Sequence, residues 1–115
     1  MVDDEPLLVE LYEIILKKAG FQIFGIALDG AEAVTKFKSA NEKPDIILMD
    51  YRMQNKNGLE AMKEILEINN NTRFIFLSAD TSIRDEALSL GAISFKAKPC
   101  DYKRLFDNIK KALQY

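Results

Sequence analysis

Four consecutive apolar residues, Ile46-Ile47-Leu48-Met49, stand between Pro44-Asp45 and Asp50 with no alternation. A run of that kind has both faces covered, the mark of a strand inside a parallel sheet. Phe74-Ile75-Phe76-Leu77, closed by Ser78, repeats the pattern, and so does Ala92-Ile93-Ser94-Phe95, which runs into Lys96-Ala97-Lys98-Pro99. Residues Phe21 to Ala27 alternate more and predict a strand nearer a sheet edge. Between these runs apolar residues recur at helical spacing: Leu8, Leu11, Tyr12 and Ile15; Ala33, Val34 and Phe37; Leu59, Met62, Ile65 and Leu66; Leu105, Phe106, Ile109 and Leu113. Pro6 suits a first helical turn, Gly20 and Gly91 suit helix stops, and Asp101 suits a cap. Asp29-Gly30 and Asn57-Gly58 predict turns, Ser82 to Leu90 a short and comparatively mobile helix, and Asn69-Asn70-Asn71 a plain loop.

Strands alternating with helices predict an α/β fold, a parallel sheet with helices on both faces. Something strand-like is demanded before the first helix, yet only Met1 and Val2 precede Asp3-Asp4, where a strand typically takes about five residues. The first strand is therefore expected to be truncated or missing.

At 115 residues the chain is one domain, residues 1–115, with no internal repeat and no linker. Its 48% hydrophobic and 30% charged residues are those of an ordinary globule, and its 16 basic and 18 acidic residues carry no long block of one sign. That balance argues against a direct nucleic-acid partner. Histidine is absent, which removes Ser-His-Asp and Cys-His catalysis and His-ligated zinc. Cys100 is the only cysteine, so no internal disulfide forms and its expected role is a small apolar side chain. No apolar run reaches a membrane span, and Asp3, Asp4 and Glu5 replace the basic start of a leader, so a cytoplasmic protein without membrane contact is expected.

In a parallel sheet the functional groups collect at the carboxyl ends of the strands. Here that rule selects Asp50, Ser78 and Lys98, with Asp3 and Asp4 after the shortened first strand. Clustered carboxylates need a cation, and an oxygen-only donor set favours Mg2+. An ionised Asp50 could attack phosphorus, with Lys98 and a metal ion neutralising the phosphoryl oxygens and Ser78 donating a hydrogen bond. Any one acid at a strand end is more often a turn or cap residue than a nucleophile. The joint pattern weighs more.

Val2-Asp3-Asp4-Glu5, Leu48-Met49-Asp50-Tyr51-Arg52-Met53, Asn57-Gly58, Leu77-Ser78-Ala79, Gly91-Ala92 and Lys98-Pro99 occur in order, each at the end of the right element. Over essentially the whole chain this set resembles the receiver domain of two-component response regulators, of the chemotaxis-regulator kind. The resemblance implies a flavodoxin-like doubly wound sheet of strand order 2-1-3-4-5, with the first strand inside it. It implies that Asp50 is the phosphoacceptor, charged by a sensor histidine kinase or phosphotransfer protein, and that Asp3, Asp4 and Asp50 hold Mg2+ with the main-chain carbonyl of Arg52. Lys98 matches the family's lysine, and the Lys98-Pro99 bond is implied to be cis. Ser78 and Phe95 match the switch pair, the hydroxyl turning to the phosphoryl group and the ring following; for Phe95 plain core packing is an equal reading. Arg52 and Asp80 flank the path of attacking water in receivers and are expected to pair as a gate.

The implied function is a phosphorylation-controlled switch that docks on a downstream effector protein. It is no enzyme beyond its own self-phosphorylation and autodephosphorylation. The alternative is a degenerate receiver that acts only as an interaction module. The chain departs from the family where Met53-Gln54 replaces Met-Pro, which frees one backbone angle. It also carries Lys96 where an apolar residue is usual, which is expected on the surface that partners read. A haloacid-dehalogenase-type phosphatase would want a second acid where Arg52 stands, and a flavin carrier a Ser/Thr/Gly loop in place of Asp3-Asp4-Glu5-Pro6. Loss of the first strand would leave backbone unpaired at a cost of about 1 to 3 kcal/mol per buried group. It would open strand edges to dimerisation.

Overall fold

The computed structural model describes residues 1–51, 53, 55–98 and 101–113. In chain order the elements are α1 (Pro6–Lys18), α2 (Gly30–Ser39), β1 (Ile46–Met49), α3 (Gly58–Ile68), β2 (Arg73–Ser78), a 3-10 turn (Thr81–Ile83), α4 (Arg84–Ser89), β3 (Ser94–Ala97) and α5 (Tyr102–Leu113). Local chemistry explains most of their boundaries. Pro6 stands in the first turn of α1, where its missing N–H costs nothing, and Lys17 and Lys18 sit at the negative end of the helix dipole. Gly20 and Gly91 take φ of 96° and 122° just past helix ends, a region open to glycine. Asp101 accepts from the Lys103 N–H at 2.9 Å and opens α5, as expected of it.

Asp29-Gly30 and Asn57-Gly58, expected as turns, are helix starts. The Asp29 carboxylate accepts from Glu32 N–H at 2.7 Å, and Asn57 and Glu60 form a reciprocal capping box at the head of α3. Ser82 to Leu90 divides between the 3-10 turn and α4 rather than forming one helix.

β1, β2 and β3 form a parallel sheet in that order, with Ile46 opposite Arg73, Met49 opposite Phe76, and Phe76 in turn opposite Phe95. The strands at 46–49 and 73–78 lie where the apolar runs place them. The last one does not, covering 94–97 rather than 92–95. Ala92 is taken up by closing α4, its N–H bonding the Ala87 carbonyl at 3.0 Å, so the ladder starts later.

The N-terminus completes the sheet by backbone alone. Val2 bridges both Ala27 and Met49 in parallel, so that Met1 to Asp3 lie between residue 27 and β1. The spatial order is that implied for a doubly wound sheet, with the first strand reduced to a bridge. The strand expected over 21–27 is correspondingly reduced to Ala27, because the segment it would pair with extends only over Met1 to Asp3. Paired rather than gapped, this part of the sheet loses fewer hydrogen bonds than a missing strand would.

Alternation along the strands sends side chains into two cores. Ile47, Met49, Phe74 and Phe76 meet α2, α3 and Ala87 of α4, whereas Leu48, Ile75 and Leu77 meet α1 and α5. Helices cover both faces, which is why these strands carry continuous apolar runs. No helix among the described residues is long and apolar enough to cross a membrane.

Candidate functional site

The carboxyl ends of the strands bring the acids together through the main chain. Val2 donates to Leu48 O at 2.8 Å, Asp50 N–H donates to Val2 O at 2.9 Å, and Asp3 N–H to Ala27 O at 3.1 Å. Asp3 and Asp50 thus end adjacent segments of one ladder. On the far side Lys98 N–H bonds Ser78 O at 2.9 Å, so the turn after β3 aims the lysine back across β2. Its Nζ lies 2.6 Å from Asp3 Oδ2 and 4.0 Å from Asp50 Oδ2.

These groups are sequestered. Asp3 is 0% exposed, Asp50 7% and Ser78 2%. Burial is the main influence on Asp50 and pushes its carboxyl above the ordinary value; the Lys98 ammonium pulls it back, and the Asp3 charge raises it again. The Tyr51 N–H, 2.8 Å from Asp50 Oδ1, and the Ser78 side chain favour the ionised form. Ser78 Oγ also accepts from the Asp80 N–H at 3.1 Å, which fixes the hydroxyl beside the acid. A buried acid whose charge one ammonium and two hydrogen bonds only partly offset gains from any further cation.

Asp3, Asp4 and Glu5 place carboxylate oxygens within 4.8 Å of one another, Asp3 buried and the other two exposed. Asp3 also accepts from Glu5 N–H at 3.1 Å. The donors are all oxygen, at the mouth of a site whose inner wall is Asp50, and they fit a hard divalent cation such as Mg2+. Glu5, part of the acidic run Asp3-Asp4-Glu5, is not among the residues the sequence led one to expect at the metal.

The structure brings Asp3, Asp4, Asp50, Ser78 and Lys98 to one rim, as their strand-end positions predict. Phe95 is half-buried against the core formed with α2, α3 and α4, and Lys96 beside it is half-buried too. Asp80 caps the 3-10 turn, its carboxylate accepting from Ser82 N–H at 3.1 Å. Arg52, expected both to lend a carbonyl to the metal and to pair with Asp80, lies outside the described residues. So do Cys100 and Pro99 with its expected cis bond.

Two supports escaped the sequence reading. Gly58, opening α3, lies so close to Asp50 that a Cβ there would meet its carbonyl carbon at 3.1 Å and its oxygen closer still. Asn55 takes a left-handed φ of 66° and donates to Asp29 Oδ2 at 2.7 Å, while Gly30 N–H bonds Lys56 O at 3.1 Å. The loop after Asp50 is thereby fastened to the head of α2. Neither close approach has a sequence signal beyond the glycines themselves.

Known proteins carry the same frame. The family model of the response regulator receiver domain matches residues 1–110. The chemotaxis protein CheY of Thermotoga maritima is 37% identical over 113 residues, covering 96% of this chain and 92% of that protein. A structure of a CheX–CheY complex with BeF3 and Mg2+ from Borrelia burgdorferi superposes with a TM-score of 0.90 at 31% identity, over 97% of this chain and 85% of that one. TrrA, a response regulator of T. maritima in complex with Mg2+ and BeF, gives 0.86 at 32%, over 96% and 94%. With its acids, lysine and hydroxyl at the strand ends of this fold, the chain belongs to the response regulator receiver domain family.

Proposed function

We propose that the chain is a phosphorylation-controlled switch whose phosphoacceptor is Asp50. The carrying observation is the Lys98 ammonium reaching both Asp3 and Asp50 inside a buried rim. In the proposed transfer an Asp50 carboxylate oxygen forms a bond to phosphorus as the phosphorus–nitrogen bond of a donor phosphohistidine breaks, the imidazole leaving with that electron pair. Lys98 balances charge on the phosphoryl oxygens, and Tyr51 N–H holds the other carboxylate oxygen in line. Asp3, Asp4 and Asp50, with the Arg52 carbonyl, would hold Mg2+, which supplies the remaining neutralising charge. The relatives solved with Mg2+ and BeF support that assignment.

The donor in this reading is a sensor histidine kinase or a phosphotransfer protein, and the product docks on an effector protein. A donor of that kind puts the proposed switch in the cytoplasm. Phosphorylation would shift a two-state equilibrium, drawing the Ser78 hydroxyl to the phosphoryl oxygens and letting Phe95 move further into the core beside Phe76. The chain performs no chemistry beyond gaining and losing its own phosphoryl group.

The test is incubation with Mg2+ and acetyl phosphate, followed by intact mass. Wild type should gain one phosphoryl group that Asp50→Asn does not. No gain in wild type would leave the interaction-module reading in its place.

A further inference from the structure

Helix α1 is apolar on two opposite sides. Val9, Tyr12 and Leu16 are buried against the rest of the molecule, Tyr12 in an edge-to-face contact with Tyr102 of α5 at 5.7 Å. At about 3.6 residues per turn, Leu7, Leu11 and Ile14 fall on the far side. They stay 82%, 43% and 48% exposed. A single exposed leucine calls for no explanation, but three large aliphatic side chains on one helix face, turned away from the core, mark a surface that something covers.

Spacing and charge narrow what this face fits. Leu7, Leu11, Ile14 and Lys18 follow one another at intervals of four, three and four residues, the seam of a two-stranded coiled coil. Glu10 and Lys17, both exposed, line one flank of the seam, and the half-buried Leu8 and Ile15 line the other. Two such helices running antiparallel bring like flanks together. Glu10 of each then meets Lys17 of the other, Leu8 meets Ile15, and Leu11 meets Ile14 along the seam. Lys18 lays its aliphatic stem over Leu7 of the other helix and keeps its ammonium in water. A parallel pair would instead set Glu10 against Ile15. Lys17 also lies 3.8 Å from Glu13 of its own helix, an exposed contact of little strength that does not hold the lysine there.

We propose that this face of α1 is the interface for a second copy of the chain, in an antiparallel, two-fold symmetric helix pair. The face is self-complementary in both its apolar contacts and its charges, which is what a two-fold interface demands. One helix of 13 residues offers less than the ~800 Å2 per partner of a stable complex, so the pair is a weak one. Its dissociation constant is on the order of 0.1 mM. No group of the acid rim takes part, so the pair is independent of the phosphorylation proposed above.

The experiment is sedimentation velocity of the full chain at concentrations from about 10 µM to 1 mM. Wild type should pass from monomer to dimer over that range. Leu11→Gln, which keeps helix propensity, should weaken the dimer about tenfold or more. E10K and K17E should each weaken it about fivefold or more, because each turns both charge pairs into repulsions. An equimolar mixture of E10K and K17E should regain the association of wild type, since every lysine there again faces a glutamate; that recovery also shows that both variants fold. Three outcomes overturn the proposal. A monomer at every concentration would assign the face to a different molecule, and a dimer insensitive to Leu11→Gln would place the contact on another surface, such as a strand edge. Variants E10K and K17E that associate as wild type does, or that fail to recover on mixing, would rule out the antiparallel pair.

Discussion

Asp50 is an acid held against its own charge. Burial and Asp3 favour its proton, and Lys98, Ser78 and Tyr51 N–H together fall short of offsetting them. Its contribution to stability is therefore largest below the ordinary value of 3.8 and is lost as pH rises through its higher value in the fold. Asp50→Asn should stabilise the metal-free protein at pH 7 by about 1 kcal/mol in urea unfolding, an ordinary single-site effect, and flatten that stretch of the pH profile. Destabilisation at pH 7 would contradict the charge assignment. Lys98→Met should act in the opposite sense, because it leaves a fully buried Asp3 without its ion pair, costing about 3 kcal/mol in the same assay. Gly58→Ala forces a Cβ onto the Asp50 carbonyl. It should slow phosphorylation by acetyl phosphate several-fold while far-UV circular dichroism stays unchanged.

At the scale of elements, the helix heads next to the site are fastened by side-chain caps. Asp29 caps α2 and also takes the Asn55 side chain, and these hydrogen bonds hold its carboxyl below the ordinary value. That stability is present above the ordinary carboxylate range and is lost as pH falls through the lowered value. Asp29→Ala should cost about 1 kcal/mol near neutrality, and the difference from wild type should vanish in acid; a constant difference would show that the cap is not ionic. What the sequence made legible follows from the same local physics. Ile46–Met49 and the run ending at Ser78 were readable because strands buried on both faces must be apolar throughout. Ala92 misled, since an alanine that closes a helix and one that starts a strand look alike. Ala27 and its upstream neighbours misled because a strand exists only by virtue of its partner. Asn55 and Gly58 stayed silent because their roles depend on backbone from other segments.

Over the whole molecule, one sheet end gathers the chemistry. The strand-end rule placed Asp3, Asp4, Asp50, Ser78 and Lys98 correctly, for it depends on topology rather than on side-chain detail. Through the main chain it is Val2 that ties Asp3 to Asp50, its carbonyl accepting from Asp50 N–H. Val2→Pro, which deletes the N–H bonded to Leu48, should weaken Mg2+ binding at least tenfold as read by tyrosine fluorescence. Unchanged affinity would separate the metal from this ladder.

The phosphoacceptor claim is met most directly by peptide mass mapping after acetyl phosphate treatment with and without Mg2+. The account predicts a single phosphoryl group on the peptide that contains Asp50, formed only with the metal present and missing from Asp50→Asn. A phosphoryl group on any other residue, or one that survives Asp50→Asn, would contradict it.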